Sequence, residues 1–135
     1  MKFKPLYIKY KSYKDQTGTL IPFYSNGSFP NFFKIKRFFF LFGIKKYYRA
    51  DHAHKKCNQI IIPIKGSIKV TTYFNKKKKI FLINPKKKKM LFVPTYTWIK
   101  LKFFKTNDCL LTLCSYKYNK EEYINNFSEF KERYF

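Results

Sequence analysis

Both histidines of this chain fall in one tripeptide, His52-Ala53-His54. On a β-strand, side chains at i and i+2 share a face, so the two imidazoles point into the same space. Imidazole has an ordinary pKa close to neutrality and can accept and return a proton with little penalty. A pair on one face is therefore a candidate general acid–base couple. Gln59 and Gly66 follow in the same stretch.

The other use of such a pair is metal binding. Small β-barrels of the cupin class that hold a metal combine His-x-His with an acid soon after it, a glycine beyond that, and a third histidine from a later strand. Here the neutral amide of Gln59 stands in place of the acid, Gly66 keeps its register, and no third histidine exists. Zinc and iron usually take three or more ligands from His, Cys or carboxylate, so two imidazoles and an amide are a poor set. The expectation is a barrel without metal or cofactor, in which the histidines do proton chemistry.

The elements that must position these residues are short and β-rich. Candidate strands are Thr19 to Tyr24, Lys34 to Phe42, His52 to His54, Gln59 to Ile64, Ser67 to Phe74, Ile80 to Ile83, Met90 to Val93, Trp98 to Phe103 and Cys109 to Tyr116. Nearly all are β-branched or aromatic, and they recur at the spacing of a sandwich or barrel. Gly66-Ser67 and Asn75 with its lysines supply turns, while Asn84-Pro85 and Val93-Pro94 stop strands. The apolar run Phe38 to Ile44 is too short to span a bilayer and reads as a strand buried on both faces. Helical signals begin only at Asn119, a good N-cap followed by Glu121 and Glu122 where a helix dipole favours negative charge. The fold expected is all-β, a jelly-roll barrel with a short C-terminal helix. It forms a single domain over residues 1–135, with 1–14 as an N-terminal edge strand and 119–135 as a tail.

Charge bounds the partner. Thirty Lys+Arg against seven Asp+Glu give a formal net charge of +23, which ordinarily points to nucleic acid or an anionic surface. Much of the lysine sits in two runs, Lys76 to Lys79 and Lys86 to Lys89, that look like solvated turns. The abundance of Lys, Phe, Ile, Asn and Tyr together is also what A/T-rich coding produces, so the charge supports an anionic substrate more than nucleic acid. Cys57, Cys109 and Cys114 have no CxxC spacing and leave one unpaired in any disulfide scheme. With no leader sequence read at the start, the expected location is a reduced cytoplasm, with no membrane partner. Trp98, at the start of a strand after Pro94, is a candidate to close the barrel mouth or stack on a planar ligand.

Taken together, these segments resemble the dTDP-sugar 3,4-ketoisomerases, a WxcM-like family of small cupins. The likeness runs through Asp15-x-x-Gly18-x-Leu20, Ile35-Lys36-Arg37-Phe38-Phe39, and Arg49-Ala50-Asp51-His52-Ala53-His54-Lys55 with Gln59. It continues in Gly66-Ser67-Ile68-Lys69-Val70, Val93-Pro94 to Trp98, and the tail from Ser115 to Ile124, closing on Phe130. The histidine block is its most specific part. The resemblance implies a cupin (double-stranded β-helix) isomerase that moves the ketone of a dTDP-4-keto-6-deoxyhexose from C4 to C3 through an enediolate. His52 and His54 divide the proton transfers, in an order the spacing leaves open. Arg37 and Arg49 are candidates to bind the diphosphate or steady the enediolate. Gln59 lies five residues past His54, so strict alternation puts it on the opposite face. A turn at Lys55 to Asn58 returns it to the pocket as a substrate hydrogen-bonder.

The resemblance further implies a homodimer, with the N-terminal strand either an edge strand or exchanged between subunits, and a product taken up by an aminotransferase on the way to a dideoxy-amino sugar for a surface glycan, such as a lipopolysaccharide, or a secondary metabolite. Three departures stand out. Ala50 replaces the family's usual glycine, although alanine resists positive φ. Phe38-Phe39-Phe40 occupies a stretch where relatives carry tyrosine, and Thr17 stands where Arg or Tyr is common. The configuration at C4 of the product, galacto or gluco, stays open. Competing readings are a cupin epimerase on the same substrate, a sugar-nucleotide sensor without turnover, and a basic β-barrel binding nucleotide or nucleic acid, whose affinity would fall steeply with salt.

Overall fold

The computed structural model describes residues 3–135. Its strands are β1 (Leu6–Lys9), β2 (Tyr13–Asp15), β3 (Gly18–Leu20), β4 (Arg37–Phe42), β5 (Tyr48–His54), β6 (Gln59–Lys65), β7 (Ile68–Phe74), β8 (Lys77–Ile83), β9 (Lys89–Val93), β10 (Trp98–Phe103), β11 (Cys109–Cys114) and β12 (Tyr123–Ile124). One α-helix, α1 (Phe127–Arg133), follows them. The strands form two five-stranded antiparallel sheets, β1-β9-β6-β11-β4 and β12-β5-β10-β7-β8, beside a separate β2-β3 hairpin. This is the jelly-roll arrangement expected from the strand spacing.

Alternation along each strand builds the core. Ile61, Leu91, Val93 and Leu110 of one sheet meet Ile68, Val70, Phe81, Ile83, Ile99, Leu101 and Phe103 of the other, all buried. Fully burying each such side chain is worth roughly 1.5–3 kcal/mol, so this layer is the main stabilising feature of the barrel. A second cluster covers the outer face of the first sheet, where Phe29 and Phe33 pack on Ile60, Ile62, Phe92 and Leu113. Gly66 makes the β6–β7 turn at φ +82°, where a Cβ would lie 2.0 Å from the buried Asp108 carboxylate. Both the backbone angle and the space require glycine there.

Several expectations change. The strand expected over Thr19 to Tyr24 ends at Leu20, and the one expected from Lys34 begins at Arg37. The intervening residues fold back as irregular chain and bring Phe29 and Phe33 onto the sheet. The run Phe38 to Ile44 is not buried on both faces: β4 is an edge strand, and Phe38, Phe40 and Phe42 are each more than half exposed. β1 pairs with β9 of its own chain at the edge of the first sheet. Met1 and Lys2, part of that expected strand region, lie outside the described residues.

The tail also departs from a simple helix. Asn119 caps only a short 3-10 turn, Lys120–Glu122, its Oδ1 accepting from the Glu121 N–H at 3.0 Å. The chain then extends, because Glu122 and Ile124 are drawn into the interior and β12 pairs with β5. Only after Asn126, which caps through Oδ1 and the Glu129 N–H, does α1 form. Phe130 of α1 is fully buried against Ala53, Trp98 and Ile124, pinning the tail over the back of β5. Among the described residues, no helix is long and apolar enough to cross a membrane.

Candidate active site

β5 reaches its histidines through a bulge. Its pairing with β10 matches His52 to Ile99 and Ala50 to Lys100, so two steps on β5 answer one on β10 and Asp51 is the extra residue. Ala50 and Asp51 both take left-handed backbone angles, φ 64° and 61°. Strict alternation would set Arg49 on the face opposite His52. With the extra residue, Arg49, Ala50 and His52 all line one cavity between the sheets.

The cavity holds about 70 Å³ and opens beside these residues, with Phe39 of β4, Gln59 of β6 and Thr112 of β11 completing its polar and aromatic wall. Gln59 arrives there because Lys55 to Asn58 form a turn between β5 and β6, and Gln59 opens the next strand. Its Nε2 also donates to the Cys114 sulfur at 3.8 Å. Phe39 contributes a ring without a hydroxyl to this wall.

The two imidazoles meet edge to face, centroids 4.8 Å apart, and Tyr123 packs on both at 4.9 and 4.3 Å. Each ring is held through Nδ1. The His52 Nδ1 lies 3.1 Å from the Ala50 carbonyl oxygen, which can only accept, so the proton sits on Nδ1 and Nε2 keeps its lone pair. The His54 Nδ1 donates to Oε2 of Glu122, a carboxylate brought in by the tail. The other oxygen of Glu122 accepts from the N–H groups of Lys56 at 3.0 Å and Cys57 at 3.1 Å.

Electrostatics follows from this burial. His52 is pushed down to about 4 by desolvation, helped by the neighbouring His54, and stays neutral across the physiological range. Desolvation also lowers His54, although its bond to Glu122 pulls the other way. Burial alone would raise the Glu122 carboxyl, but the bonds from His54, Lys56 and Cys57 outweigh it and hold it below the usual range. A neutral imidazole donating to an ionised carboxylate is the state both shifts describe.

The remaining expected residues separate. Arg37 is half-buried, its guanidinium 5.4 Å from the rings of Phe39 and Tyr118 and its Nη2 3.7 Å from the Cys114 sulfur. It stands beside Tyr123 rather than among the cavity-lining residues. Trp98, expected at the mouth, is 2% exposed and packs against Phe127 and Phe130 of α1. Its indole N–H donates to the Asp51 carboxylate at 3.0 Å, so the ring anchors the bulge from behind and offers no face to a ligand. Glu122 and Tyr123 were not singled out by the sequence. Their one visible signal was the acidic pair beside a tyrosine in the tail.

All three cysteines are free and buried. Among the described residues, no group of three or more His, Cys, Asp and Glu side chains is placed to hold a metal ion.

The family model described as FdtA: WxcM-like, C-terminal matches residues 4–134. A TDP-4-oxo-6-deoxy-alpha-D-glucose-3,4-oxoisomerase of Aneurinibacillus thermoaerophilus is 30% identical over 127 residues, spanning 93% of this chain and 88% of that protein. The crystal structure of QdtA, a sugar 3,4-ketoisomerase of Thermoanaerobacterium thermosaccharolyticum in complex with TDP, superposes with a TM-score of 0.88 at 28% identity, covering 99% of this chain and 96% of that one. A 3,4-ketoisomerase of Helicobacter canadensis superposes with a TM-score of 0.87 at 26% identity, covering 97% of each chain. This chain belongs to the FdtA/WxcM-like family of cupins, that of the dTDP-sugar 3,4-ketoisomerases.

Proposed function

We propose that this protein converts dTDP-4-keto-6-deoxyglucose into the corresponding dTDP-3-keto-6-deoxyhexose, and that His52 and His54 carry the proton transfers. The observation that carries this reading is the pair of Nδ1-protonated imidazoles packed edge to face, each with Nε2 left as an acceptor, with His52 lining the cavity.

The reaction moves a proton between carbons and another between oxygens. His52 lines the cavity and is neutral, so it is the base that takes the C3 proton, which the C4 carbonyl acidifies, and returns it at C4. His54, with its Nε2 free, relays the hydroxyl proton from O3 to O4 as the ketone moves. Carbon and oxygen protons both balance, and no electrons leave the substrate. Arg49, exposed at the cavity rim, is the contact for the diphosphate, and Gln59 hydrogen-bonds the sugar. Arg37 steadies the enediolate's charge from beside Tyr123.

An epimerase that pairs a histidine with an acid in the pocket is less well supported, because the acid beside the histidines, Glu122, is buried on the Nδ1 side of His54 and is not among the cavity-lining residues. Replacing His52 or His54 with Asn is expected to lower turnover by about 10²–10⁴-fold each with the fold intact. A double variant with wild-type activity would overturn the reading.

The proposed working form is a cytoplasmic homodimer. Its support is the detached β2-β3 hairpin, exposed along its whole length, together with the bare aromatic edge of β4. A second copy would cover both, and light scattering on the purified protein tests it. The 3-keto product is the substrate type an aminotransferase consumes, which supports a role for this step in amino-sugar biosynthesis.

A further inference from the structure

Glu122 is the most heavily committed side chain near the site, and it comes from a distant part of the chain. It is 4% exposed. Oε1 accepts two backbone N–H groups of the β5–β6 turn, Lys56 and Cys57, and Oε2 accepts from His54. Its own carbonyl oxygen accepts the Lys55 N–H at 2.8 Å. The residue thus grips the segment that links the histidine strand to the Gln59 strand at four points.

Burying a carboxylate is costly unless it is paired and hydrogen-bonded, and here three donors meet that condition. Stability alone does not require the third donor to be a catalytic histidine. The opposite end of the same ring carries the complementary observation: among the described residues, His54 Nε2 is buried without a hydrogen-bond partner. A buried polar atom left open is expensive in a finished structure and calls for an explanation, a catalytic role being one that fits its place beside His52.

We propose that Glu122 is the positioning residue of the site: it holds the His54 proton on Nδ1 and so turns the Nε2 lone pair toward the substrate. This rests on the ketoisomerase reading above for what Nε2 then does. When Nε2 takes up the hydroxyl proton, the ring becomes an imidazolium hydrogen-bonded to the Glu122 carboxylate, which stabilises the charge for the short life of the relay. Glu122 touches neither substrate nor the reacting atoms, and acts only through His54.

The amide of a Glu122→Gln variant gives a sharp test. One oxygen remains for the two backbone donors, so the NH₂ group faces His54 Nδ1, a donor against a donor. The ring must then shift its proton to Nε2 to accept at Nδ1. With only two histidines in the chain, nitrogen-15 NMR of the ring atoms reads each tautomer directly, assigned by the two His→Asn variants.

The expected results are an Nδ1–H tautomer for His54 in the unaltered protein, an Nε2–H tautomer in Glu122→Gln, and a fall in kcat on the order of 10²–10³-fold with KM within threefold. Glu122→Asp, which keeps the carboxylate, retains the Nδ1–H tautomer and loses less kcat. An Nε2–H tautomer in the unaltered protein, or Glu122→Gln with wild-type kcat and an unchanged tautomer, overturns the proposal. Should Glu122→Gln fail to fold, the unaltered protein and Glu122→Asp carry the tautomer test. An unaltered protein that turns over no substrate would defeat the ketoisomerase reading separately, because the tautomer of His54 is read without any turnover.

Discussion

The Ala50 carbonyl oxygen accepts from His52 Nδ1 at 3.1 Å, and Ala50 itself sits at a φ of +64°. The residue that fixes the tautomer of His52 is thus held in a conformation that alanine tolerates poorly. A left-handed non-glycine residue costs roughly 1–3 kcal/mol and is kept only where its surroundings over-determine it. Here those surroundings are the β5–β10 bulge and the Trp98 bond to Asp51.

Ala50→Gly should therefore stabilise the protein by about 0.5 kcal/mol, the relief of strain being offset in part by glycine's greater chain entropy. Ala50→Val should lose about 2 kcal/mol or more, since a β-branched residue is a genuine outlier at this angle. Urea denaturation of the three proteins measures both. A Val variant as stable as the parent would show that the backbone there is unstrained.

Trp98→Phe removes the indole N–H that holds Asp51 while keeping an aromatic ring against Phe127 and Phe130. The expected loss is about 1–2 kcal/mol of stability with KM for the nucleotide-sugar unchanged. A tenfold rise in KM without loss of stability would return Trp98 to the ligand.

Arg49 is exposed at the cavity rim and has no acidic partner among the described residues. Arg49→Ala should leave stability within about 0.5 kcal/mol and raise KM about tenfold, the loss of one charge-assisted contact. Steady-state kinetics at two salt concentrations check this, the parent being the more salt-sensitive of the two.

His52 sets a pH dependence with a definite sign. Its folded pKa, about 4, lies below its ordinary 6.5, so the unfolded chain takes up the proton first as pH falls. Stability linked to this ring is intact above 6.5, declines between 6.5 and 4, and levels off below, in total roughly 3 kcal/mol. Denaturation midpoints for the parent and His52→Asn across that window isolate the contribution, and the parent should show the steeper acid loss. The acid limb of kcat/KM should likewise fall near pH 4 to 5 rather than near 6.5.

The barrel was legible because alternation and turn chemistry are local. The i, i+2 histidines pack against one another as strand geometry allows, His52 on the cavity wall and His54 behind it, and a turn at Lys55 to Asn58 brings Gln59 to that wall. Arg49 reaches it only through the bulge at Asp51, which no alternation rule anticipates. Glu122 was hidden because its partner lies 68 residues away, and an acid after an N-cap reads equally well as the first turn of a helix. Phe38, Phe40 and Phe42 read as core because hydrophobicity cannot distinguish a central strand from an edge strand with one bare face.

Proton NMR of dTDP-4-keto-6-deoxyglucose incubated with the purified protein reads directly whether the ketone moves from C4 to C3. The expected result is a new 3-keto species, trappable by a 3-aminotransferase, with the C4 coupling reporting galacto or gluco configuration. Unchanged substrate, or a product epimerised at C3 or C5 with its ketone still at C4, would contradict it.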